Sequence, residues 1–167
     1  QLKQATNQGN FGVLSSAAAN KDMPNFNEWY KPQLEKTLEK WEIRGEFEPA
    51  EKYQKRVNPE TRKVLIATTR AKLEAEYIME YSSLYNLQDL TIKTSDPDHQ
   101  PYRIQTKQGD IYLKVPIDND EAQKFKESWN SVRITSPQFK VDKSGKMLLA
   151  TAQFVTPYGK SYIYDVN

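Results

Sequence analysis

The chain has a single histidine, His99, set in the polar run Ser95-Asp96-Pro97-Asp98-His99-Gln100-Pro101. One imidazole cannot make a two-histidine metal site or an H-x-x-x-H motif. A Ser-His-Asp triad would need a serine brought in from elsewhere, and no G-x-S-x-G elbow nominates one. His99 therefore reads as a solvated loop residue, with proton transfer or surface metal ligation as the competing role. Cysteine is absent altogether, which removes disulfides, thiol nucleophiles, thiolate zinc and cysteine-ligated iron–sulfur clusters. The six glycines stand apart at positions 9, 12, 45, 109, 145 and 159. No phosphate-cradling G-x-x-x-x-G-K-[ST] or G-x-G-x-x-G loop can be read from them.

Carboxylates are what remains, and the chain has 22 acidic residues. The densest cluster is Asp118, Asp120 and Glu121. Calcium favours carboxylates gathered on a loop, but the EF-hand spacing is missing. Acidic groups at a helix start also meet free backbone N–H groups and a favourable dipole, so the cluster reads as a cap. Asp96 with Asp98 is a still thinner calcium candidate. A glycosidase needs two carboxylates whose separation in space sets the chemistry. Glu42, Glu46 and Glu48, close to Trp41 and Phe47, are the first place to look for such a pair, although a solvated helix junction accounts for them more simply. The sequence thus nominates no catalytic residue, no cofactor and no metal ligand.

The elements that would position any site have to come from one core. A chain of 167 residues is about one domain long and removes roughly 70% of its unfolded surface from water. With 37% hydrophobic and 28% charged residues, much of that core must come from three Trp, ten Tyr and six Phe. The net charge of +2 arises from 24 basic and 22 acidic residues mixed along the chain. That leaves no basic stripe for a nucleic-acid backbone. No window approaches the ~18 apolar residues of a membrane span. Gln at position 1 is what a chain with its signal peptide removed would carry, and it predicts an extracytoplasmic location, periplasm or cell surface.

Residues 1–27, rich in Asn, Gln, Ser and Ala around the short cluster Phe11, Val13 and Leu14, read as a leader or linker, and 28–167 as a single domain. From Pro32, the spacing of Leu34, Leu38 and Trp41 predicts a first helix ending near Arg44 and closed by Gly45. Glu48-Pro49 starts a second helix carrying Tyr53 and Val57. Asn58-Pro59 starts a third, reaching about Leu84, with Val64, Ala67, Ala71, Ala75 and Ile78 as its apolar stripe. Alternation then predicts a strand around Leu90 and Ile92, and a hairpin of Tyr102–Thr106 and Ile111–Val115 about Gln108-Gly109-Asp110. Ala122, Phe125, Trp129 and Val132 mark an amphipathic helix. Phe139–Val141, Met147–Val155 and Tyr162–Val166 complete a meander. The fold expected is α+β: N-terminal helices packed on an antiparallel sheet of hairpin and meander, with one inserted helix.

The run Trp41-Glu42-Ile43-Arg44-Gly45-Glu46-Phe47-Glu48, followed by Tyr53-Gln54-Lys55-Arg56-Val57, resembles an uncharacterised domain of exported Bacteroidetes proteins with a W-x-x-x-G-E-[FY]-E and [DE]-Y-Q-x-R-[VM] pattern. The likeness continues through Ile111–Ile117, Phe125–Trp129 and Lys160–Asp165. Lys52 departs from the pattern. The resemblance implies an accessory module, in some relatives ahead of a caspase-like peptidase, and brings no activity with it. In physical terms Trp41, Phe47, Tyr53 and Val57 are expected to staple the first two helices together, with Glu46 and Arg56 as an ion pair across the Gly45 bend. Tyr102, Tyr112, Tyr158 and Tyr162 are the expected contact surface for a protein or glycan partner. The leading expectation is a binding or accessory module. A carboxylate-dependent hydrolase of carbohydrate or peptide and a structural subunit are the alternatives.

Overall fold

The structure, a computed structural model, describes residues 22–93, 102–115 and 119–166. Asp96, Asp98, His99, Asp118 and the Phe11 to Leu14 cluster lie outside the described residues. Three helices come first: α1 (Phe26–Glu42), α2 (Ala50–Arg56) and α3 (Pro59–Tyr81), the last running into a 3-10 turn at Ser82–Leu84. Strands β1 (Thr91–Lys93), β2 (Tyr102–Thr106) and β3 (Gly109–Leu113) follow. Then come α4 (Asn119–Glu127), a second 3-10 turn at Trp129–Ser131, and strands β4 (Arg133–Val141), β5 (Met147–Val155) and β6 (Ser161–Asp165). The fold is α+β. Hairpin and meander each belong to a three-stranded antiparallel sheet, in the orders β1-β2-β3 and β4-β5-β6.

Helix α1 begins at Phe26, ahead of the Pro32 start expected from the sequence, because Asn25 caps it. The Asn25 side chain accepts from the Asn27 N–H at 2.9 Å, satisfying one of the free donors of the first turn. The same side chain donates to the Ser144 carbonyl at 2.8 Å, and the Phe26 N–H donates to the Gly145 carbonyl at 2.9 Å. Helix α1 is thereby docked on the turn between β4 and β5, and residues 22–27 are part of the packed unit rather than of a leader. Pro32 sits inside the helix, where its missing N–H leaves one carbonyl of the preceding turn without its usual donor.

Helix α3 starts where its sequence signal lies. Asn58 accepts from the Glu60 and Thr61 N–H groups at 3.1 and 3.0 Å, and Thr61 Oγ1 accepts from the Asn58 N–H at 3.1 Å, a reciprocal capping box. Its buried face is a correction to the expected one. Ala67, Ala71 and Ala75 are exposed, and Leu73, Tyr77 and Tyr81 are buried. A Tyr ring removes far more apolar surface from water than an Ala methyl, so the helix turns its aromatics inward and its small residues out.

Those tyrosines meet α1 in an aromatic cluster. Phe26 lies 5.3 Å from both Tyr30 and Tyr77, and Trp29 lies 5.4 Å from Tyr77 and 6.3 Å from Tyr81. The Tyr77 hydroxyl donates to the Pro24 carbonyl at 2.6 Å, giving its polar tip a partner. Helix α4 ends at Glu127, short of the expected Val132, with Trp129 in the 3-10 turn. Its Phe125 packs between the two sheets, 5.6 Å from Tyr102 of β2 and 5.3 Å from Tyr162 of β6. The hairpin turn is Lys107-Gln108, since Thr106 pairs with Gly109. Strand β4 begins at Arg133 rather than Phe139 because Pro137 is carried in a bulge: the register slips between Thr135 and Gln138, and Ser136 takes a left-handed φ of 51°.

Candidate functional site

The α1–α2 junction is organised by one guanidinium. Arg56 donates through Nε and Nη2 to the two carboxylate oxygens of Glu48, both at 2.8 Å, and through Nη1 and Nη2 to the carbonyls of Trp41 and Ile43, the latter at 3.0 Å. Glu48 also accepts from the Gly45 N–H at 3.2 Å, and its own N–H donates to the Gly45 carbonyl at 3.0 Å. The Tyr53 hydroxyl donates to the Glu42 carbonyl at 3.0 Å. The guanidinium thus closes the unsatisfied C-terminal carbonyls of α1. Two expectations are corrected here. Arg56 pairs with Glu48, not Glu46, because the carboxylate that folds back over Gly45 is three residues on. Phe47 is 89% exposed and staples nothing, whereas Trp41, Tyr53 and Val57 are half-buried.

The hydrogen bonds from Arg56 hold the Glu48 carboxyl down, from 4.5 to about 2. A depressed folded value means the ionised form is favoured in the native state. That contribution is present above pH 4.5 and is lost as pH falls towards 2. Amide protection around Gly45 and Glu48 is therefore expected to fall over that window in hydrogen exchange, and Arg56→Gln should sharply reduce the pH dependence, leaving the smaller part owed to the Gly45 N–H and Arg44. Unchanged protection from pH 5 down to about 2 would sink this account of the junction.

The four tyrosines expected to form a contact surface divide. Tyr112 of β3 is exposed. Tyr102 donates to the Ala122 carbonyl at 2.7 Å and packs on Phe125. Tyr162 is buried, and its hydroxyl donates to Glu121 Oε1 at 2.6 Å. Burial, followed by the neighbouring Glu121 carboxylate, pushes that hydroxyl well above the ordinary tyrosine range. The same carboxylate oxygen accepts from Lys160 Nζ at 2.7 Å, and these bonds lower the Glu121 carboxyl, the Lys160 one first. The Tyr158 hydroxyl is buried beside that of Tyr162 and adds to its upward shift, and the Lys124 ammonium lies 4.5 Å from the Tyr158 ring centre. Three of the four rings therefore clamp α4 onto the strands. Alternation along a strand shows which residues share a face but not that α4 covers it.

Glu48, Glu121 and Asp142 are lowered from the ordinary carboxyl range, each by neighbours that donate to it: Arg56 first for Glu48, Lys160 first for Glu121, Ser144 first for Asp142. They belong to separate parts of the fold, the α1–α2 junction, α4 and the β4–β5 turn. Among the described residues no cluster of His, Asp or Glu is placed to hold a metal, and no helix is long and apolar enough to cross a membrane.

Concave surface occurs instead at a seam between the end of α3 and β4. A groove of about 630 Å³ is bounded on the helical side by Ile78, Ser82, Ser83, Tyr85 and Leu87, and on the strand side by Pro137, Gln138 and Phe139. Tyr85 and Phe139 form a tilted ring pair 5.0 Å apart. A second groove of about 190 Å³ shares Leu87 and adds Gln88, Leu90, Trp129, Asn130, Val132 and Ile134. Neither lining contains Asp, Glu, Lys, Arg or His. The sequence offered no sign of this seam, because its parts come from two separated stretches, 78–90 and 129–139, brought together only by folding.

No family model matches the chain, and neither a curated protein nor a solved structure matches it.

Proposed function

We propose that this domain is an extracytoplasmic binding or accessory module whose ligand lies along the seam between the end of α3 and β4. The observation that carries the reading is the neutral lining of the two joined grooves. The larger groove, about 630 Å³, is shallow and open to solvent, a shape for a ligand laid along the surface rather than for an enclosed small molecule. The module reading gains over a hydrolase because acid/base catalysis needs a carboxyl held in the site with a usable protonation state. The shifted carboxylates Glu48, Glu121 and Asp142 do not line either groove, and each is pinned by its own donors. The extracytoplasmic part rests on the resemblance of Trp41–Val57 to an exported domain.

The test is co-sedimentation of the protein with insoluble cellulose, chitin, mannan and collagen-type fibres, beside Ser83→Arg, which sets a charge in the larger groove from an exposed position. Wild-type protein should be retained on at least one matrix, the variant should be lost from it, and no soluble product should appear. Retention that ignores Ser83→Arg, retention on no matrix, or release of product by the wild-type protein would each overturn the proposal.

A further inference from the structure

Resting on the binding-module reading, we infer that the seam takes a neutral polyhydroxylated chain, an uncharged oligosaccharide, rather than a peptide strand or an anionic polymer. Charge comes first. A phosphate, sulfate or uronate chain needs basic side chains to replace its counterions or hydration, and the two linings supply none. Burying part of such a chain there would leave its charges unpaired, which is costly. A neutral ligand carries no such penalty.

Polar chemistry comes second. Ser82, Ser83 and Gln138 in the larger groove, with Gln88 and Asn130 in the smaller, all carry groups that donate and accept. Sugar hydroxyls have the same dual character, so each can be matched without regard to which partner holds the proton. Gln138 is already set by its neighbour, with its Oε1 accepting from Thr151 Oγ1 at 3.2 Å, which leaves the amide nitrogen as the donor available to a ligand. Half-buried rings line both grooves, Phe139 the larger and Trp129 the smaller, and supply apolar surface for the C–H groups of a pyranose. Trp129 is fixed there by its indole N–H donating to the Leu90 carbonyl at 3.3 Å.

The strand side decides against a peptide. An extended peptide binds beside a sheet by adding a strand to a free edge and needs an uninterrupted row of backbone donors and acceptors. Strand β4 is an edge of its sheet, yet where it borders the groove it carries Pro137, which has no N–H. It also carries Ser136 in the left-handed region and a register slip between Thr135 and Gln138. Proline and bulges are the features by which edges refuse strand addition. The edge is blocked to a strand while Gln138, exposed between Pro137 and Phe139, remains accessible to a ligand.

The test is a titration of ¹⁵N-labelled protein, followed by amide and indole shifts. The probes are neutral β-1,4-linked hexasaccharides of glucose, mannose and N-acetylglucosamine, an oligogalacturonate, a neutral alternating Thr-Val peptide and a proline-rich peptide. At least one neutral sugar should shift Ser82, Ser83, Gln138, Asn130 and the Trp129 indole. The exposed pair Gln138→Ala and Asn130→Ala together should weaken that binding at least tenfold with an unchanged melting curve, and the oligogalacturonate should leave the seam unmoved. Shifts at the seam from a peptide or the anionic sugar alone would overturn the ligand class while sparing the binding module. Silence at the seam towards every probe would overturn both.

Discussion

Replacing Phe26 with Ala is expected to lower the free energy of unfolding by about 3–5 kcal/mol, the range for deleting a fully buried aromatic. Phe26 has no exposed surface. Its ring is stacked on Tyr30, meets Tyr77 edge-on and carries the Arg70 guanidinium 5.7 Å from its centre. Truncation removes the transfer energy of the ring and leaves a cavity bounded by aromatic rings that are also held from elsewhere. Tyr77 is tied by its hydroxyl to Pro24, so the walls cannot simply collapse. In a domain with a total stability of about 5–15 kcal/mol, that loss is about three-fifths or more of the whole at the lower end. The urea midpoint should fall accordingly, while Phe26→Leu, which keeps most of the volume, should cost less than half as much. A change below about 1 kcal/mol for Phe26→Ala, the size typical of surface positions, would mean that α1 is not anchored through its first turn.

Residue 26 is also where sequence reasoning and structure part most clearly. Local signals that need only a few neighbours were legible: the Asn58-Pro59 cap, the Tyr102–Thr106 strand, the meander and the overall α+β order. Each depends on capping or alternation within a short window. Phe26 sat in a stretch dominated by small polar residues, and its burial depends on the β4–β5 turn, whose Ser144 and Gly145 lie more than a hundred residues on. The face of α3 was misread because alanines set the 3.6-residue stripe while tyrosines, amphipathic and easily taken as surface residues, hold the core. At the α1–α2 junction the residue types that close it could be read, but not the partner. Glu46 and Glu48 are the same residue type, and only the turn through Gly45 shows that it is Glu48 that reaches Arg56. The seam was not readable at all, since a groove built from Ser83, Leu87 and Gln138 has no periodicity to betray it.

Gly145→Ala is expected to destabilise the domain by about 2–4 kcal/mol, combining the cost of a left-handed non-glycine residue with a steric one. Gly145 has a φ of 83°, and a Cβ there would lie 2.3 Å from Asn25 Oδ1 and 2.9 Å from both Asn25 Cγ and the Asn27 backbone nitrogen. The first two contacts come from a side chain and can be relieved, but the third is main chain and cannot be relieved without moving the helix. Moving it would break the Phe26 N–H bond to the Gly145 carbonyl and the Asn25 bond to Ser144, and would draw Phe26 from the core. The two effects can be separated by a cycle with Asn25→Ala, which alone should cost about 1 kcal/mol as a lost cap. The double variant should be less destabilised than the sum of the single ones, because one clash is removed in advance. It should still fall short of wild type, because the backbone conformation and the Asn27 contact remain. Simple additivity would show that α1 and the β4–β5 turn do not press on each other. If Gly145→Ala had no effect on the urea midpoint, that turn could not be what fixes where α1 starts.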